Sequence, residues 1–310
     1  MTYPAPILIA GPTASGKSAL ALSLAERLGG IVINADAMQV YRELRVLTAR
    51  PSEDDERRAP HRLYGHVPGR EAYSAARYAT EARATIAEAE AAGRIPIVVG
   101  GTGLYFKALV EGLSPVPSIP ESIRAHWRAR ASEEGAAALH EMLKARDPEM
   151  AARLLPTDPQ RIVRALEVLD ATGISLARWQ EQPGEPVVAV REGHAIVVSP
   201  ERDELRRRCD ARFDAMMDAG ALDEVRALLD QKLSPELPVM RALGVKPLAE
   251  LLVGRLDLEA AAEAAKAETR QYAKRQLTWL RRNMITWKWI DTQETESFAA
   301  SLVDFIKSKA

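Results

Sequence analysis

Eight residues near the start of the chain, Gly11-Pro12-Thr13-Ala14-Ser15-Gly16-Lys17-Ser18, constrain the fold more than any other stretch. They satisfy the spacing G-x-x-x-x-G-K-[ST] in full. They stand between an apolar run, Pro6–Ala10, and a segment from Ser18 whose leucines at 20, 24 and 28 recur with helical period. Strand, glycine loop and helix in that order make a phosphate-binding loop. Backbone N–H groups of the loop and of the helix start surround phosphate oxygens, Lys17 adds a point charge, and Ser18 offers a hydroxyl to Mg²⁺. The bland alternative is a glycine-rich turn that merely joins strand to helix.

The rest of the pattern extends this start into a layered domain. Gly29-Gly30 closes the helix, and Ile31-Val32-Ile33 reads as a second buried strand running into Asn34 and Asp36. An alanine-rich helix from about Ala75 to Ala92 ends at Gly93. Ile95–Val99 then forms a third strand that stops at Gly100-Gly101-Thr102-Gly103. Right-handed crossovers make these strands parallel.

After Leu113 come Pro115, Pro117 and Pro120, and no strand candidate appears until Val187. Helical stretches fill the interval at Glu121–Glu134, Gly135–Arg146, Pro148–Leu154 and Asp158–Thr172. The chain returns to the sheet at Ala195–Val198 and continues through a helix from Arg202 to about Ala219, then helices at Leu222–Lys232, Lys246–Val253 and Leu258 to about Arg282. A segment Trp287–Ile290 precedes a last helix at Glu296–Lys307. The expected class is α/β, a P-loop core with a parallel sheet flanked by helices plus an inserted all-helical domain. The expected limits are 1–113 and 194–310 for the core and 114–193 for the insertion.

Composition removes several function classes. With 47% apolar and 27% charged residues, the chain has ordinary globular usage. Its single cysteine, Cys209, supports neither an internal disulfide nor a cysteine-rich zinc site, so a reduced, cytoplasmic setting is expected. No run of 18 apolar residues suggests a membrane span, and Met1–Ala10 lacks the charge and cleavage pattern of a leader. Nothing calls for an obligate protein partner, and a monomer is expected.

Net charge is −1, but Ala261–Ile290 is locally basic. At helical pitch, Lys266, Arg270, Lys274, Arg281 and Lys288 fall in one stripe.

A phosphate loop does not by itself say what happens to the phosphates. ATPases and GTPases commonly hold Mg²⁺ with an aspartate at the end of a second apolar strand. Here Ile95–Val99 ends in glycines and a threonine, with no acid. A loop that holds two linked phosphates also suits an organic diphosphate whose carbon–oxygen bond is the one broken.

At this point the chain resembles the tRNA dimethylallyltransferase (isopentenyltransferase) family, of the bacterial type without a zinc-finger extension. The matching stretches are Gly11–Ser18 (GPTASGKS), Asp36–Arg42 (DAMQVYR), Thr48-Ala49-Arg50-Pro51, Val99–Gly112 (VGGTGLYFKALVEG), Asp158–Val168 (DPQRIVRALEV), Arg212–Met216 (RFDAM) and Arg275–Trp279 (RQLTW). They span about Pro6 to Trp289. The resemblance implies transfer of dimethylallyl from its diphosphate to the six-amino group of the adenosine just 3′ of the anticodon, with Mg²⁺. It also implies that the tRNA anticodon stem-loop is held between the core and the inserted domain. Ala37 stands where the family usually has Ser, Leu47 and Arg50 where it has Gly and Lys, and Val245 where it has Tyr.

Residues then take expected roles. Adenine's amino group is a poor nucleophile, so attack on carbon benefits from a carboxylate that takes its proton, and Asp36, just past the second strand, is the candidate. Gly11, Pro12, Thr13, Ala14, Ser15, Gly16, Lys17 and Ser18 would hold the diphosphate, with Ser18 on Mg²⁺. Thr102 and Arg212 join the catalytic set, with Arg208 the competing arginine on the same helix.

On tRNA the resemblance implies Asp36, Ala37, Met38, Gln39, Thr102, Arg124, Gln160, Arg161, Ile162, Val163 and Arg164. Gln39 offers both a donor and an acceptor to an adenine edge. The bland readings are a capping aspartate, a loop amide, a threonine satisfied in its turn, and arginines paired with Glu167 and Asp170. Trp179, Trp279, Trp287 and Trp289 read as core, and His61 and His66 have no metal-ligand spacing. Rival functions are a prenyltransferase acting on free adenine nucleotides and a P-loop kinase or RNA-binding NTPase that uses ATP.

Overall fold

The computed structural model describes residues 5–191 and 193–309, which divide into two compact units, one of Val110 and before together with Val187 onward, the other Glu111–Pro186. In the first unit the apolar run becomes β1 (Ile7–Ala10), followed by α1 (Lys17–Leu28), β2 (Ile31–Asn34), α2 (Glu53–Arg58), β3 (His61–Arg62), α3 (Ala75–Ala91), β4 (Pro96–Gly100) and α4 (Gly103–Val110). The second unit holds α5 (Glu121–Arg146), α6 (Pro148–Ala152), α7 (Pro159–Thr172) and α8 (Leu176–Trp179). The chain re-enters the first unit with β5 (Ala195–Val198), α9 (Arg202–Asp218), α10 (Ala221–Asp230), α11 (Val245–Leu252), α12 (Leu258–Asn283), β6 (Lys288–Ile290) and α13 (Thr295–Lys309).

The six strands form one parallel sheet in the order β3-β2-β4-β1-β5-β6. Every residue of β1, β2, β4 and β5 is buried, as expected of a parallel sheet covered on both faces. One face packs Ile7, Ile9, Val32 and Ile97 against α1 and α13; the other packs Leu8, Ile33 and Val98 against α3, α4 and the end of α12. A third cluster joins Val40, Tyr41 and Leu44 to Phe213, Val225, Leu248 and Ala265. The register pairs Ala10 with Gly100 and Asn34 with Val99, so the loops after β1, β2 and β4 open on one edge of the sheet.

Four strands were expected; six are present among the described residues. The additional strands, β3 and β6, are the two sheet edges, only two and three residues long, and their exposed positions carry Arg62 and Lys288. β3 is too short and polar to display an apolar run, and β6, inside the Trp287–Ile290 segment, is too short to be told from a loop by its own pattern. Because α12 stops at Asn283, Lys288 lies in β6 and is not part of a helical stripe. Within α12, Lys266 pairs with Asp214 at 2.6 Å and Arg270 with Asp210 at 2.6 Å, both carboxylates on α9. These two cations are tied to the neighbouring helix.

The helical unit packs α5 on α7 around Trp127, Leu139, Leu143, Ile162 and Leu166. The boundary expected between helices at 121–134 and 135–146 is present within α5, where Gly135 at φ 79° and ψ 166° breaks the helical backbone. Trp127 Nε1 donates to Asp170 at 2.7 Å, and the Asp158 side chain caps α7 by accepting from the Arg161 N–H. Among the described residues no helix is long and apolar enough to cross a membrane.

Candidate active site

A pocket of about 330 Å³ opens at the carboxyl edge of the sheet, lined by residues 13–19 with Asp36, Gln39, Thr48, Ala49, Arg208 and Arg212. Gly16 sits at φ 89°, a left-handed turn that ends the loop and starts α1. This geometry aims the first N–H groups of the helix into the pocket. Two long-range contacts brace the loop. Gln276 of α12 accepts from the Thr13 N–H at 2.8 Å, and the Thr292 hydroxyl donates to the Ser15 carbonyl at 2.8 Å.

Three cations line this concavity, Lys17, Arg208 and Arg212. The Lys17 ammonium donates to the Pro12 carbonyl at 3.0 Å, and burial pulls its pKa down to about 8, with Asp36 opposing and Arg212 reinforcing the shift. Arg212 donates to the Thr13 hydroxyl, while its Nε is buried with no hydrogen-bond partner. Burial also lowers the Arg212 pKa, Cys209 and Asp36 countering. A desolvated guanidinium with an unspent donor suits an incoming oxyanion. Arg208 lines the same pocket but places its Nε on Glu204 at 2.7 Å.

Across the pocket, the loop after β2 is set by Asn34, which is fully buried. Asn34 Oδ1 accepts from the Asp36 N–H at 2.8 Å, and Nδ2 donates to the Asp36 and Leu63 carbonyls at 3.0 Å each. Asp36 Oδ1 accepts from the Met38 N–H at 2.9 Å, so one oxygen of the carboxylate is held by its own loop. Burial raises the pKa of the Tyr64, Tyr105 and Tyr272 hydroxyls, and the Asp36 charge adds to each shift, so all three stay protonated around the carboxylate. Thr102 Oγ1 accepts from the Ala37 N–H at 2.9 Å, joining the β4 turn to this loop.

Gln39 is less versatile than its side chain allows. Its Nε2 donates to both the Thr48 and Ala49 carbonyls at 2.9 Å, so both amide protons are spent and Oε1 alone remains as an acceptor. The loop that supplies those carbonyls is held by Glu224, which accepts from the N–H groups of Arg45, Val46 and Leu47. Leu47 is buried in the third cluster, and Arg50 donates to the Tyr41 and Arg42 carbonyls at 3.3 Å. Val245 is buried in the same cluster. Glu224 has no local sequence signal, because it acts on backbone brought to it only by the fold; Asn34 turns locally onto Asp36, and Gln276 lies in the RQLTW stretch, but their contacts with Leu63, Thr13 and Gly101 come only from the fold.

The structure thus gathers the phosphate loop, Asp36, Gln39, Thr102 and Arg212 in one unit, with Ala37 and Met38 half-buried in the Asp36 loop. The helical unit carries the other expected contacts. Gln160 and Arg161 are exposed, Val163 and Arg164 half-buried, and Ile162 fully buried in that unit's core, which leaves only its backbone for a ligand. Arg161 pairs with Asp158 and Arg164 with Glu167, each at 3.4 Å, whereas Asp170 is taken by Trp127 and Arg146. Arg124 is half-buried, its Nε unpartnered. His66 is tied to Glu81 at 2.8 Å, and Trp279 packs beside Gly103.

Among the described residues no three His, Cys, Asp or Glu side chains gather as a metal site. Mg²⁺ keeps several waters and takes one or two protein oxygens plus substrate phosphates. The Ser18 hydroxyl, exposed in the pocket and without a hydrogen bond among the described residues, fits that mode of binding. A second, larger cleft of about 500 Å³ lies between α9 and α12, floored by Leu205, Cys209, Ala273 and Leu277 and rimmed by arginines. It contains no carboxylate and no part of the phosphate loop.

Fold and pocket together define an α/β protein of the P-loop class, with its glycine loop and a carboxylate on one pocket. Comparison with known proteins narrows the class. The family described as IPP transferase matches residues 39–283, and that described as isopentenyl transferase matches residues 5–71. A curated tRNA dimethylallyltransferase of Parvibaculum lavamentivorans is 53% identical over 300 residues, covering 97% of this chain and 95% of the relative. The crystal structure of the full-length tRNA isopentenylpyrophosphate transferase from Bacillus halodurans aligns with a TM-score of 0.67 and 32% identity over 98% of each chain. A eukaryotic dimethylallyltransferase acting on tRNA aligns with a TM-score of 0.78 and 30% identity, over 93% of this chain and 73% of that one. The chain belongs to the IPP transferase family.

Proposed function

We propose that this chain is a tRNA dimethylallyltransferase, which moves a dimethylallyl group from dimethylallyl diphosphate to the N6 amine of the adenosine 3′-adjacent to the anticodon. Beyond family membership, one observation carries the reading: Lys17, Arg212 and the loop N–H groups line the same small pocket as the Asp36 carboxylate. A leaving diphosphate and a proton acceptor are the two things an allylic substitution by an amine requires.

In the proposed reaction the adenine N6 lone pair forms a bond to the allylic carbon while the carbon–oxygen bond breaks. Its electron pair passes to the departing diphosphate oxygen, and the N6 proton goes to Asp36. Lys17, Arg212 and the N–H groups of residues 13–18 take up the charge that gathers on the diphosphate. Ser18 would hold Mg²⁺ against the diphosphate, and the ion would supply further neutralisation of that charge. Gln39 Oε1 accepts from the adenine amine and Thr102 keeps the Asp36 loop at its distance.

The base must leave its stack to reach such a pocket, which costs less in an unpaired loop than in a helix. The inserted helical segment 114–193 binds the anticodon stem-loop through Arg124, Gln160, Arg161, Val163 and Arg164 and the backbone at Ile162. Phosphates there are met by exposed guanidinium.

The test is direct. The protein is incubated with dimethylallyl diphosphate, Mg²⁺ and unmodified tRNA, and nucleosides are examined by mass for a prenylated adenosine. Absence of that product, or phosphate release from ATP that tRNA stimulates, would replace this reading with that of a P-loop kinase or NTPase. Prenylation of free AMP without tRNA would make it an adenine-nucleotide prenyltransferase.

A further inference from the structure

We infer that Gln276 of α12 is a positioning residue that locks the phosphate loop and the Asp36 loop at one spacing, so that donor and nucleophile meet in register. The inference rests on the functional reading above.

Gln276 is among the few polar side chains buried in this unit, 6% exposed. Its Oε1 accepts from the Thr13 N–H at 2.8 Å and its Nε2 donates to the Gly101 carbonyl at 2.9 Å. These two backbone groups belong to different strands' loops, after β1 and after β4. A Cβ on Gly101 would come within 2.2 Å of Nε2, so the glycine is what lets the amide enter.

Each contact leads to a reacting group. Thr13 receives Arg212 on its hydroxyl, while Gly101 precedes Thr102, whose Oγ1 accepts from the N–H of Ala37 beside Asp36. One helical turn earlier on α12, Thr102 and Gln276 act on the Tyr272 hydroxyl against the effect of its burial. A single amide therefore joins the anion-holding wall to the carboxylate wall.

The chemistry of the join is specific. It needs an acceptor on one side and a donor on the other, neutral and buried, and a carboxamide supplies both without the cost of burying a charge. A leucine would fill the volume and pack on α12 but would leave the Thr13 N–H and the Gly101 carbonyl unpaired. Glutamate has the right shape only when protonated: its O–H then donates to Gly101 and its C=O accepts from Thr13. Once ionised it loses the donor and faces the Gly101 carbonyl with like partial charge.

The experiment compares Gln276→Leu and Gln276→Glu with the wild type in single-turnover transfer, in affinity for inorganic diphosphate with Mg²⁺ by calorimetry, and in Tm. We expect Gln276→Leu to fold with a Tm lowered by a few degrees, through the two backbone groups left unpaired, and to lose roughly 10²-fold in transfer rate, the scale of a small misplacement of reacting groups. Its loss of diphosphate affinity should be smaller. Gln276→Glu should approach the wild-type rate as pH falls and depart from it as pH rises.

A Leu variant with a wild-type rate overturns the inference, as do losses in both variants that follow Tm with no pH dependence relative to the wild type. If the Leu variant does not fold, the pH profile of the Glu variant decides alone. If the wild type transfers nothing, the functional reading is what has failed. The inference is then judged on diphosphate affinity, which Leu must weaken and Glu must weaken increasingly with rising pH.

Discussion

The phosphate loop and the first turn of α7 both place cations at the start of a helix, yet they hold them in opposite ways. Lys17 is turned back onto its own loop carbonyl and desolvated until its pKa falls to about 8, and Arg212 arrives from a helix 199 residues away to sit on Thr13. Arg161 is 75% exposed and paired with its own cap, Asp158, while Arg164 leans on Glu167. In the first region charge is fixed and half-buried, at a desolvation cost that an oxyanion bound there would relieve. In the second, charge is solvated and locally paired, so exchange of carboxylate for phosphate costs little and is screened by salt. On the function proposed above, the first is the place for chemistry and the second the place for grip.

Four measurements would break or sharpen that contrast. The largest effect belongs to Asp36→Asn, which keeps shape and the hydrogen bond from Met38 but removes the proton acceptor. Single-turnover transfer should fall by about 10²–10⁴-fold with donor and tRNA affinities little moved. A normally folded variant with a near-normal rate would leave Gln39, Thr102 or solvent to take the proton.

Next comes Lys17→Ala. Removal of the principal point charge should reduce transfer by about 10²–10³-fold and weaken inorganic diphosphate binding measured by calorimetry. Unchanged diphosphate affinity would mean that the loop does not hold the donor.

Arg161→Glu with Arg164→Glu should act on the other region alone. Filter binding at several salt concentrations should show weaker tRNA binding and a shallower salt dependence, the slope shrinking by about 0.7 for each single-strand phosphate that is no longer neutralised. Donor affinity should stay as it was. Wild-type tRNA affinity and slope would reduce these arginines to a solvated helix face.

The smallest effect is a pH dependence, and its sign differs between binding and stability. Lys17 carries its charge below about 8, so diphosphate affinity should be flat there and decline as pH rises past that value. Calorimetry in buffers of different ionisation enthalpy should show proton uptake on binding above it. Stability runs the other way. The folded chain binds fewer protons at Lys17 than the unfolded one between about 8 and the ordinary 10.5, so that group's contribution to stability rises with pH across this window. Guanidinium stays charged throughout, so a tRNA affinity that tracked the same titration would contradict the assignment of grip to Arg161 and Arg164.

Legibility in the sequence follows the range of the interaction. The loop Gly11–Ser18, the strands at 7–10, 31–34, 96–100 and 195–198, and the cap Asp158-Pro159 of α7 are each made by residues within one turn or one strand of each other, and each is readable. The edge strands β3 and β6 are not, because an edge of two or three residues takes its pairing from its neighbour and not from its own apolar pattern. The basic stripe on α12 holds in part, with Arg270, Lys274 and Arg281 lining one cleft, and its pairing is not readable for a related reason. Periodicity places Lys266 and Arg270 on a face, but only the packing of α9 supplies Asp214 and Asp210 to occupy them.

The site divides along the same line. By itself the sequence determined that a phosphate loop starts a parallel α/β domain, that an aspartate follows the second strand, and that a helical segment interrupts the sheet, since local spacing and hydrophobic period are properties of contiguous residues. Only the tertiary structure decided that Arg212 reaches Thr13 while Arg208 turns to Glu204. It also decided that Gln39 spends both amide protons on a loop held by Glu224, and that Asn34 and Gln276 set the two walls of the pocket. The Arg208–Glu204 pair and the Asn34–Asp36 turn are local, but the others depend on which groups the fold lays beside a side chain, from 9 residues away for Gln39 to 263 for Gln276, and a buried polar group is bound to take whichever partner the fold delivers.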